Sequence, residues 1–435
     1  MFFFNKIFSL SSASSALGDT SKSNLSKTKL YTGFIDTQHM TPDTIQFDTP
    51  DTNPGFTPSH PLRAVIIDEI YSHGVLCGYF PESQPAKKQI ISKISSSYFV
   101  DLAINSIPDI QDLTKLKTMA KWIFILFKFD DIIDEKKSIF QDKSVEDRIK
   151  LASTFATECY RILATGNNNP TCYLELSARI STYNREEWDN IQKLFLSLKD
   201  LYSDLLFLCG NNQAEVQRKS EQFRTQVNQY FQSAVTELKT VDTVDHATYI
   251  EHRKKSGAVP TAFALSLQLY DIEVPEAIIN SDGYQAMLYH SNLAICLVND
   301  GVSAGKEWDS PEPNYLKIRF SDHLRDGHSP KEAFRKAKED LERLHDKNIE
   351  GYIDGISTLE RQLNLKQLHI NDLKLLSLDA SEEAFKDTKS EIYLLYKTYS
   401  DTIAKIRNAV DYWISSNFYY SDKTERYKVS TPIPS

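Results

Sequence analysis

Apolar residues recur at steps of three and four along most of this chain from about residue 88 onward. The stretch from Leu113 to Phe127 is a clear example, and its spacing is typical of a helix with a broad apolar face. The same spacing predicts further helices over about 144–164, 184–209, 213–240, 247–270, 275–306, 331–349 and 381–418. No strand-like alternation of useful length and no fixed-period repeat competes with it. The pattern therefore predicts an all-α bundle whose helices surround a central cavity.

Residues 1–57 differ from the rest of the chain. They are rich in Ser, Thr, Asp and Pro and have little apolar periodicity. Segments of this composition bury too little apolar surface to offset the entropy lost on ordering. We therefore predict a flexible N-terminal arm over residues 1–57, dispensable for chemistry, and a single α-helical domain over residues 58–435.

The overall composition narrows the classes of function. The 435 residues include 50 Lys and Arg against 59 Asp and Glu, which gives a net charge of −9 without a dense basic run. This balance disfavours nucleic acid and anionic membrane surfaces as partners, because both bind positive patches. The longest apolar run, Trp122 to Phe127, is far shorter than the roughly 20 residues of a membrane span. Five isolated cysteines indicate a reduced protein, and we expect a cytoplasmic location.

The first candidate site lies at the end of the apolar helix that contains Leu113. Four carboxylates cluster there: Asp130, Asp131, Asp134 and Glu135. Asp130 and Asp134 lie one turn apart on one helical face, where like charges repel and apolar surroundings raise the cost of ionisation. A cation would remove that cost, and Mg²⁺ prefers such oxygen ligands. The alternative is a solvated helix end with a chance cluster of acids.

The second candidate site is a row of oxygen-bearing side chains. Residues spaced i, i+4 and i+8 share one helical face, and here they are Asn299, Ser303 and Glu307. Three such oxygens can chelate one Mg²⁺, and Lys306 beside them can reach an anion. The alternative is a polar stripe on an amphipathic helix. Gly301 and Gly305 count against that alternative, because glycines weaken a helix without adding a solvated face.

Together the two segments resemble the class I terpene synthases of the microbial type. The aspartate-rich motif of that family, DDxxD, is matched by Asp130, Asp131 and Asp134. Its second motif, NDxxSxxxE with lysine before the glutamate, is matched by Asn299, Asp300, Ser303, Lys306 and Glu307. Gly301 departs from the family, which has an aliphatic residue at that position. The departure affects the packing of the helix and none of the ligands.

Further positions extend the resemblance. The family carries a diphosphate-sensing arginine 46 residues before the second motif, and Arg253 stands at that distance. Gly257 falls where the family's helix breaks and turns a backbone carbonyl toward the substrate, although Ser256 replaces an acidic residue often found there. Arg426 and Tyr427 match the Arg-Tyr pair near the end of the family's final helix.

The resemblance covers about residues 60–430 and implies the helical bundle of class I terpenoid synthases, with residues 58–435 as the catalytic domain. The segment near 351–380 has no counterpart in the family. We expect it to lengthen a helical hairpin or loop on the outside of the bundle.

The resemblance also implies a reaction. An acyclic prenyl diphosphate, farnesyl or geranylgeranyl diphosphate, would be ionised with Mg²⁺ and cyclised to a sesquiterpene or diterpene. Of three Mg²⁺ ions, for which Mn²⁺ is a substitute, two would be anchored by Asp130 and Asp134. The third would be held by Asn299, Ser303 and Glu307. Asp131 points about 100° away and would orient basic partners. The diphosphate would be gripped by Arg253, Lys306, Arg426 and Tyr427.

The carbocation would need a dry cavity lined by apolar and aromatic groups. Phe124, Phe127 and Tyr420 either line that cavity or belong to the ordinary core. A monomer and a homodimer both fit the sequence.

Two rival functions stay open. A trans-prenyl diphosphate synthase shares the fold and the first motif, but it should carry a second DDxxD in place of the segment from Asn299 to Ser303. A non-catalytic helical protein of the same fold should have lost metal ligands, whereas every ligand position here is filled. The DxDD acid cluster of class II cyclases and the glycine-rich nucleotide-binding motifs are absent from the sequence.

Overall fold

The computed structural model describes residues 25–36, 41–50, 60–134, 144–180, 185–237, 245–309, 313–376, 382–424 and 431–434. In the first half of the chain the helices are α1 (Arg63–Leu76), α2 (Gln84–Ser97), α3 (Phe99–Asn105), α4 (Leu113–Asp134), α5 (Val145–Thr165), α6 (Pro170–Ile180), α7 (Arg185–Leu208), α8 (Gln213–Lys219) and α9 (Glu221–Glu237). In the second half they are α10 (His246–Ser256), α11 (Val259–Leu269), α12 (Glu276–Ile279), α13 (Asp282–Glu307), α14 (Tyr315–Arg325), α15 (Pro330–Leu376) and α16 (Glu382–Lys423). The predicted helical architecture is confirmed.

Helix α4 runs through the core, where it packs against α1, α3, α7 and α11. Every residue from Thr118 to Leu126 is buried, so more than two turns of this helix have no solvated face. The Trp122 indole N–H donates to Thr261 Oγ1 at 3.0 Å, which ties α4 to α11. Lys121 is buried as well, and its ammonium group lies between two carboxylates of α7. This packing determines where the acidic end of α4 is presented.

Three predicted helices are interrupted, and one of them, over 275–306, is divided into α12 and α13. In the predicted helix over 247–270, α10 ends at Ser256 and α11 begins at Val259. Between them Ala258 has a φ of 55°, a left-handed conformation that no helix can continue through. The segment over 213–240 is likewise split into α8 and α9 at Ser220.

The two longest of the described helices are the last two along the chain. Helix α15 has 47 residues and α16 has 42, so α15 measures about 70 Å at 1.5 Å per residue. Helix α15 runs through the segment near 351–380 as far as Leu376, and residues 377–381 lie outside the described ranges. That this segment lengthens a hairpin or loop on the outside of the bundle stays a prediction. Among the described helices, none combines the length and the apolar character needed to cross a membrane.

The predicted N-terminal arm needs correction. Strands β1 (Leu25–Asp36) and β2 (Thr41–Pro50) pair antiparallel, and the short strand β3 (Thr431–Pro432) pairs in parallel with β1. The prediction of an undocked tail over residues 1–57 is wrong for these two strands, as is the prediction of no strands. Four large side chains of the pair are almost fully buried: Leu30, Phe34, Ile45 and Phe47. Two apolar residues per strand, at a spacing that places them on one face, suffice to dock the pair on α13 and α15.

Candidate active site

The first acidic motif occupies the last turn of α4. Asp130 and Asp131 are half-buried. Asp134 is the final residue of the helix, and the structure describes its backbone only. Lys128 donates from Nζ to Asp131 Oδ2 at 2.8 Å, which is the basic partner predicted for that residue. The C-terminal end of a helix carries partial negative charge, so carboxylates there are unfavourable without a cation. The local electrostatics of α4 thus favour a bound positive ion.

The second motif occupies the end of α13. Ser303 is fully buried, whereas Asn299 and Glu307 are half-buried. Asn314, the N-cap of α14, donates from Nδ2 to Glu307 Oε2 at 3.0 Å and to the Asp300 carbonyl at 2.9 Å. The same nitrogen lies 3.5 Å from Ser303 Oγ. Asn314 therefore holds this row of oxygens together.

Arg253 links α10 to the second motif. Its Nη2 donates to Asn299 Oδ1 at 2.7 Å and lies 3.0 Å from Asp300 Oδ1. Asp300 is almost fully buried and also accepts from the Tyr249 hydroxyl at 2.6 Å and from the Tyr315 backbone N–H at 3.3 Å. Burial raises the pKa of the Asp300 carboxyl, and the charge of Arg253 and the hydrogen bond from Tyr249 oppose that rise. Asp300 thus aims the guanidinium group at Asn299.

One cleft brings Asp130 of the first motif together with Arg253, which contacts the second motif. Its walls are formed by Phe129, Asp130, Ile133, Tyr230, Ala234, Arg253 and Ser256. Asp130 comes from the first motif, and Arg253 is hydrogen-bonded to Asn299 of the second. Asp130 and Arg253, about 120 positions apart in the sequence, therefore face a common space. A carboxylate and a guanidinium group in one cleft can hold a ligand that combines a cation with an anion.

Gly257 lies at the break between α10 and α11, so the predicted break at this residue is confirmed. Its φ of −71° is open to any residue, and the reason for glycine is space. A Cβ at this position would lie 2.1 Å from Cys296 Sγ of α13. The Gly257 carbonyl accepts from the Val259 N–H at 2.7 Å. Its predicted orientation toward a substrate stays a prediction.

The remaining predicted anion-binding residues are placed less fully. Lys306 is exposed near the end of α13, beside the oxygen row. Arg426 and Tyr427 lie outside the described residues. The described chain resumes at Thr431, where β3 pairs with β1, and the Ile433 N–H donates to the Ile35 carbonyl at 3.1 Å.

The aromatic candidates belong to one cluster next to α4. The ring of Phe127 stacks on that of Tyr420 with centroids 6.0 Å apart, and Phe99 meets Phe127 edge-on at 6.2 Å. Phe124 lies in the same cluster and contacts Tyr79 edge-on at 5.3 Å. Phe124 and Tyr420 are buried, as core residues are, while Phe127 is only partly buried. Of the three, Phe127 has surface left to contact a ligand.

The donor set fits a hard cation. It consists of carboxylate, amide and hydroxyl oxygens, and the N–H groups of Arg253 and Asn314 contact Asn299 and Glu307 of the second row. In the part of the chain that the structure describes, three or more His, Cys, Asp or Glu residues nowhere cluster as a complete metal site. A soft or imidazole-preferring metal would need such a cluster. Mg²⁺ takes few protein carboxylates and completes its shell with water and phosphate oxygens.

Two residues of the site escaped the sequence analysis. Asn314 follows the Pro-Glu-Pro segment and carries the signal of a helix N-cap, which says nothing of its contact with Glu307. Tyr249 has no motif at all. Asp300 was visible as the second letter of the motif, yet its role in holding Arg253 depends on the approach of α10 to α13.

Comparisons with known proteins agree with this geometry. Residues 121–347, just over half of the chain, match the family model described as terpene synthase family 2, C-terminal metal binding. Among solved structures, an α-eudesmol synthase is similar at a TM-score of 0.56 and 14% identity, over 86% of this chain and 98% of that one.

A cucumene synthase gives a TM-score of 0.54 at 16% identity, over 86% of this chain and 99% of that one. A hedycaryol synthase solved with HEPES gives 0.54 at 15% identity, over 87% and 100%. At these identities the likeness concerns the fold alone. Among curated proteins, none matches the sequence.

Proposed function

Because this chain belongs to terpene synthase family 2, we propose that it ionises an acyclic prenyl diphosphate with Mg²⁺ and cyclises the resulting carbocation. The substrate is farnesyl or geranylgeranyl diphosphate, and the products are diphosphate and a sesquiterpene or diterpene. The observation that carries the proposal is the cleft that Asp130 shares with Arg253, which is in turn bound to Asn299. A proposed metal ligand of the first motif and a proposed anion-binding residue that contacts the second motif thus share one space.

The metal ions would be held by two sets of oxygens. Asp130 and Asp134 form the first set, with Asp131 kept in place by Lys128. The second set is Asn299, Ser303 and Glu307. When bound, Mg²⁺ stabilises the negative charge that develops on the leaving diphosphate oxygens.

Arg253 supplies the main protein cation at the cleft. Its guanidinium group offers several N–H donors in a fixed plane, which suits diphosphate oxygens. Asp300 and Tyr249 hold it in place before the substrate arrives, so little reorganisation is needed on binding. Lys306, Arg426 and Tyr427 complete the set of donors in this proposal. The Gly257 carbonyl, at the break next to Arg253, lies beside the reacting end of the substrate.

After ionisation the hydrocarbon chain is a cation that water would quench. The aromatic faces of Phe127 and its neighbours attract positive charge and exclude water. The reaction belongs in the cytoplasm, where the thiols of the five cysteines stay reduced.

The rival synthase activity is a second candidate for the same fold. It would join an allylic diphosphate to isopentenyl diphosphate and would need a second aspartate-rich row. Asn299 and Ser303 stand where that row would be, and Arg253 already binds the amide of Asn299. This arrangement favours the cyclase.

Product analysis tests the proposal. Purified protein with Mg²⁺ is incubated separately with geranyl, farnesyl and geranylgeranyl diphosphate, and the extracts are analysed by mass spectrometry. We expect cyclic hydrocarbons from farnesyl or geranylgeranyl diphosphate, loss of turnover on chelation, and recovery with Mg²⁺. The exposed Asp189 provides a control, because Asp189→Asn should match the wild type. Full turnover after exhaustive chelation would contradict the proposal, and longer prenyl diphosphates on addition of isopentenyl diphosphate would favour the rival.

A further inference from the structure

Two glycines lie on the face of α13 opposite the oxygen row. Gly301 and Gly305 are one turn apart and lie about 200° around the helix from Asn299 and Ser303, respectively. A Cβ at Gly305 would lie 2.6 Å from the backbone carbonyl of Gly33 in β1, a distance that side chains do not occupy. A Cβ at Gly301 would lie 3.2 Å from the ring of Phe47 in β2. The glycine that departs from the family motif therefore accommodates the N-terminal strands.

Strand β1 has a matching feature. Gly33 has a φ of 83°, which strongly favours glycine, and it lies where the pairing of β1 with β2 shifts between Tyr31 and Ile35. This bulge brings the backbone of β1 against that of α13. Glycine on both sides of the contact lets the two backbones touch two residues before Glu307.

Helix α15 holds the outer edge of β2. Lys338, Glu342 and Asp346 follow one another at i, i+4 and i+8, and they bind alternate residues of the strand. Lys338 Nζ donates to the Thr44 carbonyl at 2.6 Å. The carboxylates of Glu342 and Asp346 accept from the backbone N–H groups of Gln46 and Asp48, at 2.9 and 2.8 Å.

The spacings match, because four helical residues rise about 6.0 Å and two strand residues span about 6.6 Å. The strands are thereby fixed in register along α15 and cannot slide over α13.

The contact continues past the last metal-binding residue. Phe34 of β1 packs edge-on against Trp308, with ring centroids 5.0 Å apart, and against Phe334 of α15 at 4.9 Å. Trp308 directly follows Glu307 in the sequence. The strands therefore grip α13 on both sides of the turn that carries Glu307.

We propose that strands β1 and β2 are a positioning element of the metal site, in which Gly33, Gly305 and Phe47 determine the placement of the Asn299, Ser303 and Glu307 oxygens. This inference rests on the proposed function. Metal sites tolerate little displacement of their ligands, so a shift of α13 by a fraction of an ångström should weaken cation binding while the helix itself stays formed. The N-terminal strands would then be required for chemistry although they contribute no ligand.

Gly305→Ala tests the inference, with Gly283→Ala as its matched control. Both glycines lie on α13, and a Cβ at Gly283 would lie 2.6 Å from the Leu359 backbone nitrogen, as close a contact as at Gly305. Gly283 is 22 residues before Gly305 and 16 residues before Asn299, where the oxygen row begins. Alanine favours the helix over glycine, so any loss in either variant comes from the blocked contact.

Two readouts separate positioning from general stability. Binding of Mg²⁺ together with inorganic diphosphate is measured by calorimetry, and the Mg²⁺ concentration for half-maximal turnover is measured with the active prenyl diphosphate. We expect both variants to melt at lower temperature. Only Gly305→Ala should weaken Mg²⁺ and diphosphate binding, by about tenfold, with a matching rise in half-saturating Mg²⁺.

Phe47→Leu provides a second route if Gly305→Ala does not fold. It removes part of the ring that faces Gly301 and creates no clash, and the same change in Mg²⁺ dependence is expected. Equal Mg²⁺ dependence in wild type, Gly283→Ala and the positioning variants would overturn the inference and leave the cyclase proposal intact. A wild-type protein that neither binds Mg²⁺ with diphosphate nor turns over a prenyl diphosphate would overturn the proposed function, and the inference with it.

Discussion

The two helices that carry the candidate metal ligands are held in place in different ways. Helix α4 is positioned by apolar packing over the residues before its acidic end, and Lys128 of the same helix is a polar partner of that end. Helix α13 is held by polar partners from other elements, Arg253 and Asn314, and by glycine contacts on its opposite face. The candidate ligands of α4 depend on the buried apolar part of that helix, and those of α13 depend on contacts from other elements.

Because of this difference, substitutions in the two helices should affect stability and cation binding to different degrees. Carboxylates at the end of α4 repel one another, so the fold tolerates their removal and the loss falls on cation binding. On α13 the ligands and their supports share buried hydrogen bonds, so a change there should affect both folding and metal binding. Substitutions in the two regions should therefore give different combinations of the two effects.

The largest loss of turnover is expected for Asp130→Asn. The amide keeps the shape of the side chain but removes a charged metal ligand from the cleft, and turnover should fall by about 10² to 10³-fold. The melting temperature should stay the same or rise, because one of several neighbouring negative charges is gone. Steady-state kinetics and thermal unfolding measure the two quantities. A variant with wild-type turnover would remove Asp130 from the metal site.

Asp300→Asn should damage both properties. It leaves the Arg253 guanidinium without its buried counter-charge, so we expect about 3 kcal/mol of lost stability and at least a tenfold fall in turnover. Tyr249→Phe is the control, since it removes one hydrogen bond to Asp300 and keeps the ion pair, at a cost of about 1 kcal/mol. Denaturant unfolding measures the stability of the two variants, and steady-state kinetics measures their turnover. Equal effects of the two variants would mean that the ion pair does not position Arg253.

Asn314→Ala should act mainly through metal affinity. The Mg²⁺ concentration for half-maximal turnover should rise by about 10 to 100-fold, because the support of Glu307 is lost. Asn212→Ala is matched to it, since Asn212 is the N-cap of α8 and contacts no part of the site. Each variant should lose about 1 kcal/mol of stability through its cap. If both variants gave the same half-saturating Mg²⁺ concentration, Asn314 would act only as the N-cap of α14 and not as a support of Glu307.

The smallest effect on turnover is expected for Asp411→Asn, which lies far from both ligand rows. The Asp411 carboxyl of α16 is buried against the Tyr352 hydroxyl of α15, and burial raises its pKa to about 6. Because the folded pKa exceeds the unfolded value of about 3.9, the contribution of Asp411 to wild-type stability should fall as pH rises from about 4 to about 6 and stay constant above that.

Asp411→Asn should lack this fall, which amounts to at most about 3 kcal/mol. Unfolding of both proteins between pH 4 and pH 7 measures it. If the difference in unfolding free energy between them did not change over that range, the raised pKa would be wrong.

The sequence predicted which oxygen-bearing side chains share a helical face, because that signal is local. Both rows lie on single helices, where spacing alone decides which residues share a face, and Arg253 proves to contact Asn299 across the predicted interval. The break at Gly257 is predicted by the resemblance, and the polar run between Ile250 and Ala258 agrees with it. The approach of Cys296, a contact between distant parts of the chain, explains why glycine is required at this position.

The N-terminal strands show why the rest escaped prediction. Leu30 and Phe34 in one strand, with Ile45 and Phe47 in the other, are too few apolar residues to stand out among Ser, Thr and Asp. Their burial depends on a surface made some 270 residues later by α13 and α15. The Lys338, Glu342 and Asp346 row would likewise be interpreted as a solvated charged stripe, because nothing local shows that a strand edge lies against it.

That separation has a consequence for how the chain is made. At a synthesis rate of about 5 to 20 residues per second, β1 waits roughly 15 to 50 seconds before α13 leaves the ribosome. During that time α13 and α15 are not yet available to cover Phe34 and Phe47. An exposed pair of strands with apolar side chains promotes aggregation. The hydroxyl-rich and acidic composition between them keeps such a segment soluble while it waits. The same residues that made this region resemble a tail are those that a late-docking strand pair needs.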